Sequence, residues 1–222
     1  MRSGNELLIA CGMLRDELEL AMARTGRTPE TVWLDKGLHD SPAVLRAALQ
    51  EEIDRREGTC GLILLGMAYC GGALDGVGSR SSAIAVPRFD DCIRLLLALA
   101  PGKHDPGDSR SLYFTRQWMA SDRYIAREME GYRRTYGEKK AAKIQRAMLS
   151  GYRWLRLVDT GGYELAAYED AAKSDAAALG LAYSDQQGTV RVLEKLLRHE
   201  FDEEFCLTKP GERITQRQFW NI

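Results

Sequence analysis

Leu62-Ile63-Leu64-Leu65-Gly66-Met67-Ala68-Tyr69-Cys70-Gly71-Gly72 carries the strongest strand signal in the chain. Its uninterrupted apolar run, bounded by Gly61 and Gly66, has the length and content of a strand buried on both faces. Gly71 and Gly72 lack Cβ atoms, so the backbone there can turn sharply or let a ligand approach. Strands buried on both faces belong to parallel sheets, and open parallel sheets bind ligands at the carboxyl ends of their strands. Cys70 stands at such an end. For one thiol alone, the simpler role is that of a small buried hydrophobe before a turn.

Other apolar runs in this half end in the same way. Leu7-Leu8-Ile9-Ala10 runs into Cys11-Gly12, and Thr31-Val32-Trp33-Leu34 runs towards Gly37-Leu38-His39. Ala83-Ile84-Ala85-Val86 runs into Pro87-Arg88-Phe89-Asp90-Asp91-Cys92. Between them, helical spacing predicts helices over 13–24, from a cap at Asp40 or Ser41 to about 56, and over 92–100. Strands alternating with helices specify a parallel sheet with crossover connections. Cys11, His39, Cys70 and the Asp90-Asp91-Cys92 group are then expected along one rim.

Pro101-Gly102-Lys103-His104-Asp105-Pro106-Gly107-Asp108-Ser109 concentrates turn residues and reads as a linker. Beyond it come a strand at 112–115, a charged helical region over about 121–152 with a break near Gly137, and a strand at 154–158. A helix over about 164–179, a run at 181–184, a helix at 189–198 and a last strand, Phe205-Cys206-Leu207-Thr208, complete the second half. The expected fold class is α/β: two Rossmann-like lobes with parallel sheets facing a central cleft. One continuous mixed sheet is the alternative. The first lobe spans 1–102 and carries the Cys/His rim; the second spans 103–222 and carries the long helical region. The polar tail over 213–222, with Phe219 and Trp220, is expected to pack on a lobe or on a second copy in a homo-oligomer.

Composition narrows the function. The 222 residues carry 31 basic and 32 acidic side chains, which gives no general attraction to nucleic acid or an anionic membrane. No segment approaches the roughly 18 apolar residues of a membrane span. The N-terminus lacks the pattern of a secretory signal, so a cytoplasmic location is expected. Five cysteines in such a chain point to metal binding, catalysis or burial rather than to disulfides.

Thiolate with imidazole suits zinc, and also other transition metals in thiolate-rich sites. Cys11, His39, Cys70 and Cys92 would form a Cys3His set if the rim positions converge. Asp90 and Asp91 are candidates for acid–base work, for an oxygen ligand or for orienting His39. Arg88 and Lys209, each at a strand exit beside proline, are candidates for holding an anionic small-molecule substrate. Trp118 is a candidate pocket wall. A metal-free thiol enzyme of lyase or isomerase type, or a non-catalytic carrier or sensor of a small ligand or metal, uses the same residues.

Several of these segments, in order, resemble a family of prokaryotic proteins of unknown function, DUF1638. The resemblance rests on Ile9-Ala10-Cys11-Gly12, Gly37-Leu38-His39-Asp40-Ser41-Pro42, Tyr69-Cys70-Gly71-Gly72 and Pro87-Arg88-Phe89-Asp90-Asp91-Cys92-Ile93. It continues through Tyr113-Phe114-Thr115-Arg116-Gln117-Trp118, Val158-Asp159-Thr160-Gly161 and Lys209-Pro210-Gly211-Glu212, and so spans nearly the whole chain. Met67-Ala68, Asp40 and Gln117 depart from the family pattern; the cysteines and His39 do not. Members of this group are often encoded beside corrinoid proteins and methyltransferases. The resemblance therefore implies a metal-dependent protein of corrinoid-linked one-carbon metabolism, as a methyltransferase-type enzyme or an accessory, with a corrinoid as partner cofactor.

Overall fold

In a computed structural model, residues 6–101 and 107–219 are described, with the backbone alone at His39 and Asp40. The central strand is β3 (Leu62–Gly66), whose apolar side chains from Ile63 to Leu65 are fully buried. On one side it pairs in parallel with β1 (Glu6–Cys11), which pairs in turn with β2 (Glu30–Leu34). On the other side it pairs in parallel with β4 (Ala83–Pro87). Helices α1 (Arg15–Thr25) and α2 (Pro42–Arg55) make the crossovers to β2 and β3, and right-handed connection puts them on opposite faces. Ser41 caps α2 and Pro42 opens its first turn, as the sequence predicts. Gly66 makes the seating of α1 possible: a Cβ there would lie 2.8 Å from Leu18 Cδ1.

After β4 and the short helix α3 (Cys92–Leu97), the chain builds a second sheet, separate from the first. It consists of β5 (Ser111–Phe114), β6 (Trp154–Asp159) and β7 (Ala182–Gln187), all parallel. Helices α4 (Arg116–Met119), α5 (Ile125–Tyr136) and α6 (Glu138–Leu149) join β5 to β6, and α7 (Ala166–Leu179) joins β6 to β7. The expected break at Gly137 separates α5 from α6, with φ of 74°. Arg156, at mid-sheet, donates to Ser111 Oγ at 2.9 Å and to Ser184 Oγ at 3.0 Å, tying the three strands together. The expectation of parallel α/β sheets holds; the alternative of one continuous sheet does not.

The chain then returns to the first sheet. Helix α8 (Arg191–Arg198) packs against α1, and β8 (Phe205–Thr208) pairs antiparallel with β4, giving the order β2-β1-β3-β4-β8. One compact unit thus comprises the chain to residue 105 and from Thr189 onward, and the other comprises 106–188. This differs from a second lobe running from 103 to 222. The physical reason is that β4 would otherwise be a bare edge, and β8 satisfies its outer backbone groups. Residues 102–106 of the linker, with His104, lie outside the described residues. Among the described residues no helix is long and apolar enough to cross a membrane.

The returning segment is anchored by one buried carboxylate. Glu204, 2% exposed, accepts from Arg191 at 2.6 and 2.7 Å and from Lys195 at 2.6 Å. Burial alone would raise its carboxyl, but the bonds from Arg191 and Lys195 outweigh this and hold it below a glutamate's ordinary 4.5. A carboxyl depressed on folding contributes stability at neutral pH that is lost as pH falls through its folded value. Glu204→Ala is therefore expected to lose about 3 kcal/mol in urea unfolding at pH 7, because it strips Arg191 of its carboxylate and leaves Lys195 with Asp202 alone. Its deficit against wild type should shrink below about pH 4.

Candidate thiol site at the sheet rim

The strand order reverses between β1 and β3: β2 lies to one side of β1, and β3 and β4 to the other. In doubly wound sheets this switch point opens a crevice at the carboxyl ends of the strands. Cys11 is the last residue of β1 and caps a 3-10 turn over Gly12–Leu14. Gly12 fits closely there, since a Cβ would meet Leu34 O at 3.0 Å.

Beyond β3, Met67 to Tyr69 stay buried and run beside the exit of β4. Tyr69 N donates to Phe89 O and Cys70 N to Asp90 O, both at 2.9 Å. The chain then turns through three consecutive positive φ values, 50° at Cys70, 65° at Gly71 and 94° at Gly72. The glycines accept this conformation freely; Cys70 does so against the steric preference of an L-residue. The turn closes with Ala73 N donating to Tyr69 O at 3.1 Å. Cys92 is the first residue of α3, whose cap Asp91 accepts from Arg94 N at 2.8 Å.

These placements bring the Sγ atoms of Cys70 and Cys92 to 3.7 Å. Cys11, Cys70 and Cys92 are 2%, 8% and 4% exposed. The hydrogen bond with Cys70, reinforced by burial, pushes the Cys92 thiol well above its ordinary range. Burial, with Cys92 nearby as the next contribution, pushes Cys11 up to about 12. All three thiols come from different strand exits of one sheet, and Cys70 and Cys92 are the two that meet. Among the described residues no set of three His, Cys, Asp or Glu side chains is grouped as metal ligands. The backbone of His39 lies in the 3-10 turn Lys36–Asp40, after β2, and its side chain lies outside the described residues.

The other expected site residues divide. Asp90 and Asp91 stand at the rim and face Arg94 at 4.0 and 3.7 Å. Arg88 turns instead to the returning segment: its guanidinium donates to Glu203 O and its backbone N to Glu204 O. Lys209 follows β8, and β8 is antiparallel, with Thr208 opposite Ile84. Its exit therefore lies at the opposite edge of the sheet from the thiols, in an exposed turn. Trp118 packs against the core of the 106–188 unit, edge-on to Phe114 at 6.5 Å. Cys206 is buried in β8 and donates to Gln218 O at 3.4 Å; burial raises it to about 11.

Three residues at the rim escape a sequence reading. A cleft of about 450 Å³ opens beside the Cys70–Gly72 turn, and Arg46, Tyr69, Asp75 and Asp90 line it. Tyr69 and Asp75 flank the cysteine turn in sequence, which is a usable signal. Arg46 sits one position beyond Leu45 on the core stripe of α2, and no local pattern marks it.

A doubly wound α/β unit with a thiol pair where β3 and β4 leave the sheet is the class of structure these features define. The family described as "Protein of unknown function (DUF1638)" matches residues 33–197, and the chain belongs to it. No curated protein and no solved structure matches the chain.

The backbone at Cys70 sets a stability test. Cys70→Gly relieves a left-handed residue, worth about 1 kcal/mol, while loosening the unfolded chain by a similar amount. Its stability in urea unfolding should stay within about 1 kcal/mol of wild type. Cys70→Val, β-branched at positive φ, should lose about 2–3 kcal/mol in the same measurement.

Proposed function

We propose that the rim thiols form a transition-metal centre, zinc being the best fit, that serves corrinoid-linked methyl-group metabolism. The observation that carries this reading is the 3.7 Å separation of Cys70 and Cys92 Sγ. Two thiolates on a tetrahedral zinc, each about 2.3 Å from the ion, are about 3.8 Å apart. Cys11, at the exit of the adjacent strand β1, would close on this pair as the third ligand when metal binds. His39 is the fourth, on the turn that leads to Pro42, whose Cγ lies 3.5 Å from where a Cβ on Gly71 would stand. Zinc would supply Lewis-acid polarisation and a lowered pKa to a bound thiol or hydroxyl.

The chain's own residues have separate tasks in this centre. Cys70 and Cys92 bind, and Asp91 fixes the first turn of α3 so that Cys92 points inward. Gly71 and Gly72 keep the approach open. With no cation present, burial keeps the Cys11 thiol protonated, and the Cys70 hydrogen bond together with burial does the same for Cys92, so loading releases protons and is opposed by acid. The setting in methyl-group metabolism, as a methyltransferase-type enzyme or an accessory to a corrinoid protein, rests on the family resemblance.

Elemental analysis of untagged protein purified under reducing, anaerobic conditions is the direct test. About one equivalent of zinc is expected in wild type and none in Cys92→Ser. Apparent affinity should rise on the order of tenfold or more per pH unit from pH 6 to 8, as thiol protons leave. Wild type that neither carries metal nor takes up added zinc would overturn the centre. With zinc present, methyl transfer to or from a corrinoid identifies an enzyme, and stoichiometric binding without turnover identifies an accessory or carrier.

A further inference from the structure

The cleft beside the cysteine turn is lined by one cation, Arg46, and two carboxylates, Asp75 and Asp90; Asp90 faces Arg94, and neither carboxylate pairs with Arg46. Arg46 donates from Nη2 to Gly72 O at 2.6 Å, while its Nε is shut from solvent without a hydrogen-bond partner. No carboxylate among the described residues lies within ion-pair distance of its guanidinium. A guanidinium carries five N–H donors in a planar fork suited to a carboxylate, so most of this one's capacity is unused. Asp75 accepts from Gln216 N at 2.9 Å through Oδ1 and has no cationic partner among the described residues. Tyr69 lines the same cleft and stacks on Phe219; its hydroxyl lies near Gly72, where a Cβ would stand 3.7 Å away, and has no hydrogen-bond partner among the described residues.

Burial raises the Tyr69 phenol, Asp75 raises it further and Arg46 pulls it back, so both charges act on the same hydroxyl. Half-buried charges of opposite sign that form no ion pair are left partly desolvated and uncompensated. A ligand bearing both signs would complete both.

The geometry points to an α-amino acid as the ligand of this cleft, its carboxylate on Arg46 and its ammonium on Asp75. The ammonium must be one with protons to donate. A quaternary ammonium asks for a cage of aromatic faces, whereas this cleft offers carboxylates and only Tyr69 as an aromatic wall. Its volume of about 450 Å³ falls within the range of small-molecule pockets. Tyr69 and Gly71, the neighbours of Cys70 on either side, both line it, so an occupant lies against the turn that carries the thiol. Reading the amino acid as the substrate rests on the proposed metal centre; reading it as a ligand does not.

The test is titration calorimetry of full-length protein with each of the twenty standard L-amino acids. At least one should bind with one-to-one stoichiometry. For that amino acid, the decarboxylated amine and the des-amino acid should each bind at least tenfold more weakly to wild type. Arg46→Met and Asp75→Asn should each weaken the parent amino acid at least tenfold, with zinc content unchanged. The analogue comparison uses wild type alone, so it stands even where a variant fails to fold. Absence of binding by all twenty would overturn the inference. So would a truncated analogue that binds as well as its parent, or two folded variants within twofold of wild type. Amino-acid binding by protein that takes up no zinc would sink the metal centre and leave the cleft standing. Zinc uptake without amino-acid binding would do the reverse.

Discussion

Two backbone hydrogen bonds, Tyr69 N to Phe89 O and Cys70 N to Asp90 O, hold the rim together. The ladder between β3 and β4 ends at Leu64 and Ala85, yet the chains keep company beyond it through these bonds. Without them the segment after Gly66 would leave the sheet as an ordinary loop, and Cys70 would have no reason to meet Cys92. The bonds also explain how buried backbone at Met67 to Tyr69 is tolerated, since its polar groups need partners away from water. The left-handed turn at Cys70 then follows. The chain must reverse directly after the second bond, and its one non-glycine participant is held there by the contacts on either side.

Much of this arrangement is legible in the sequence because strand exits in a parallel sheet share an edge. Cys11, Cys70 and Cys92 could be assigned to one rim from the alternation of apolar runs and helical spacing alone. What the pattern does not contain is direction. Phe205-Cys206-Leu207-Thr208 reads as a strand whichever way it runs, and only its pairing with Val86 and its neighbours makes it antiparallel. That one unreadable bit moves Lys209 to the far edge and draws the guanidinium of Arg88 towards Glu203. It also moves the lobe boundary, because a strand that follows the second sheet in sequence belongs to the first in space.

Arg46 is illegible in the sequence for a different reason. Helical spacing assigns Leu45, Leu49 and Ile53 to the core, and it leaves Arg46 as one more charged residue on a solvated helix. That this position reaches the carbonyl of Gly72 depends on how α2 lies against the turn, which is settled by packing between distant segments. Charges that find no partner in sequence are ordinary; charges that find none in a shared cleft are not. The distinction exists only once the fold has formed.

The antiparallel edge strand also sets an order of events in folding. β4 ends at Pro87 and β8 begins at Phe205, with the whole 106–188 unit between them. Closing so long a loop early would cost entropy before its contacts return any, and such pairings form slowly. Prior folding of the inserted unit would remove most of that chain from the loop. On a ribosome, β1 to β4 emerge long before Phe205, so the outer side of β4 is open for the time taken to make the insert. During that interval the nascent chain carries both an unpaired strand edge and the nearby thiols of Cys70 and Cys92. The C-terminal return is then the step that ends exposure to aggregation, and its buried Glu204 latch makes that step hard to reverse.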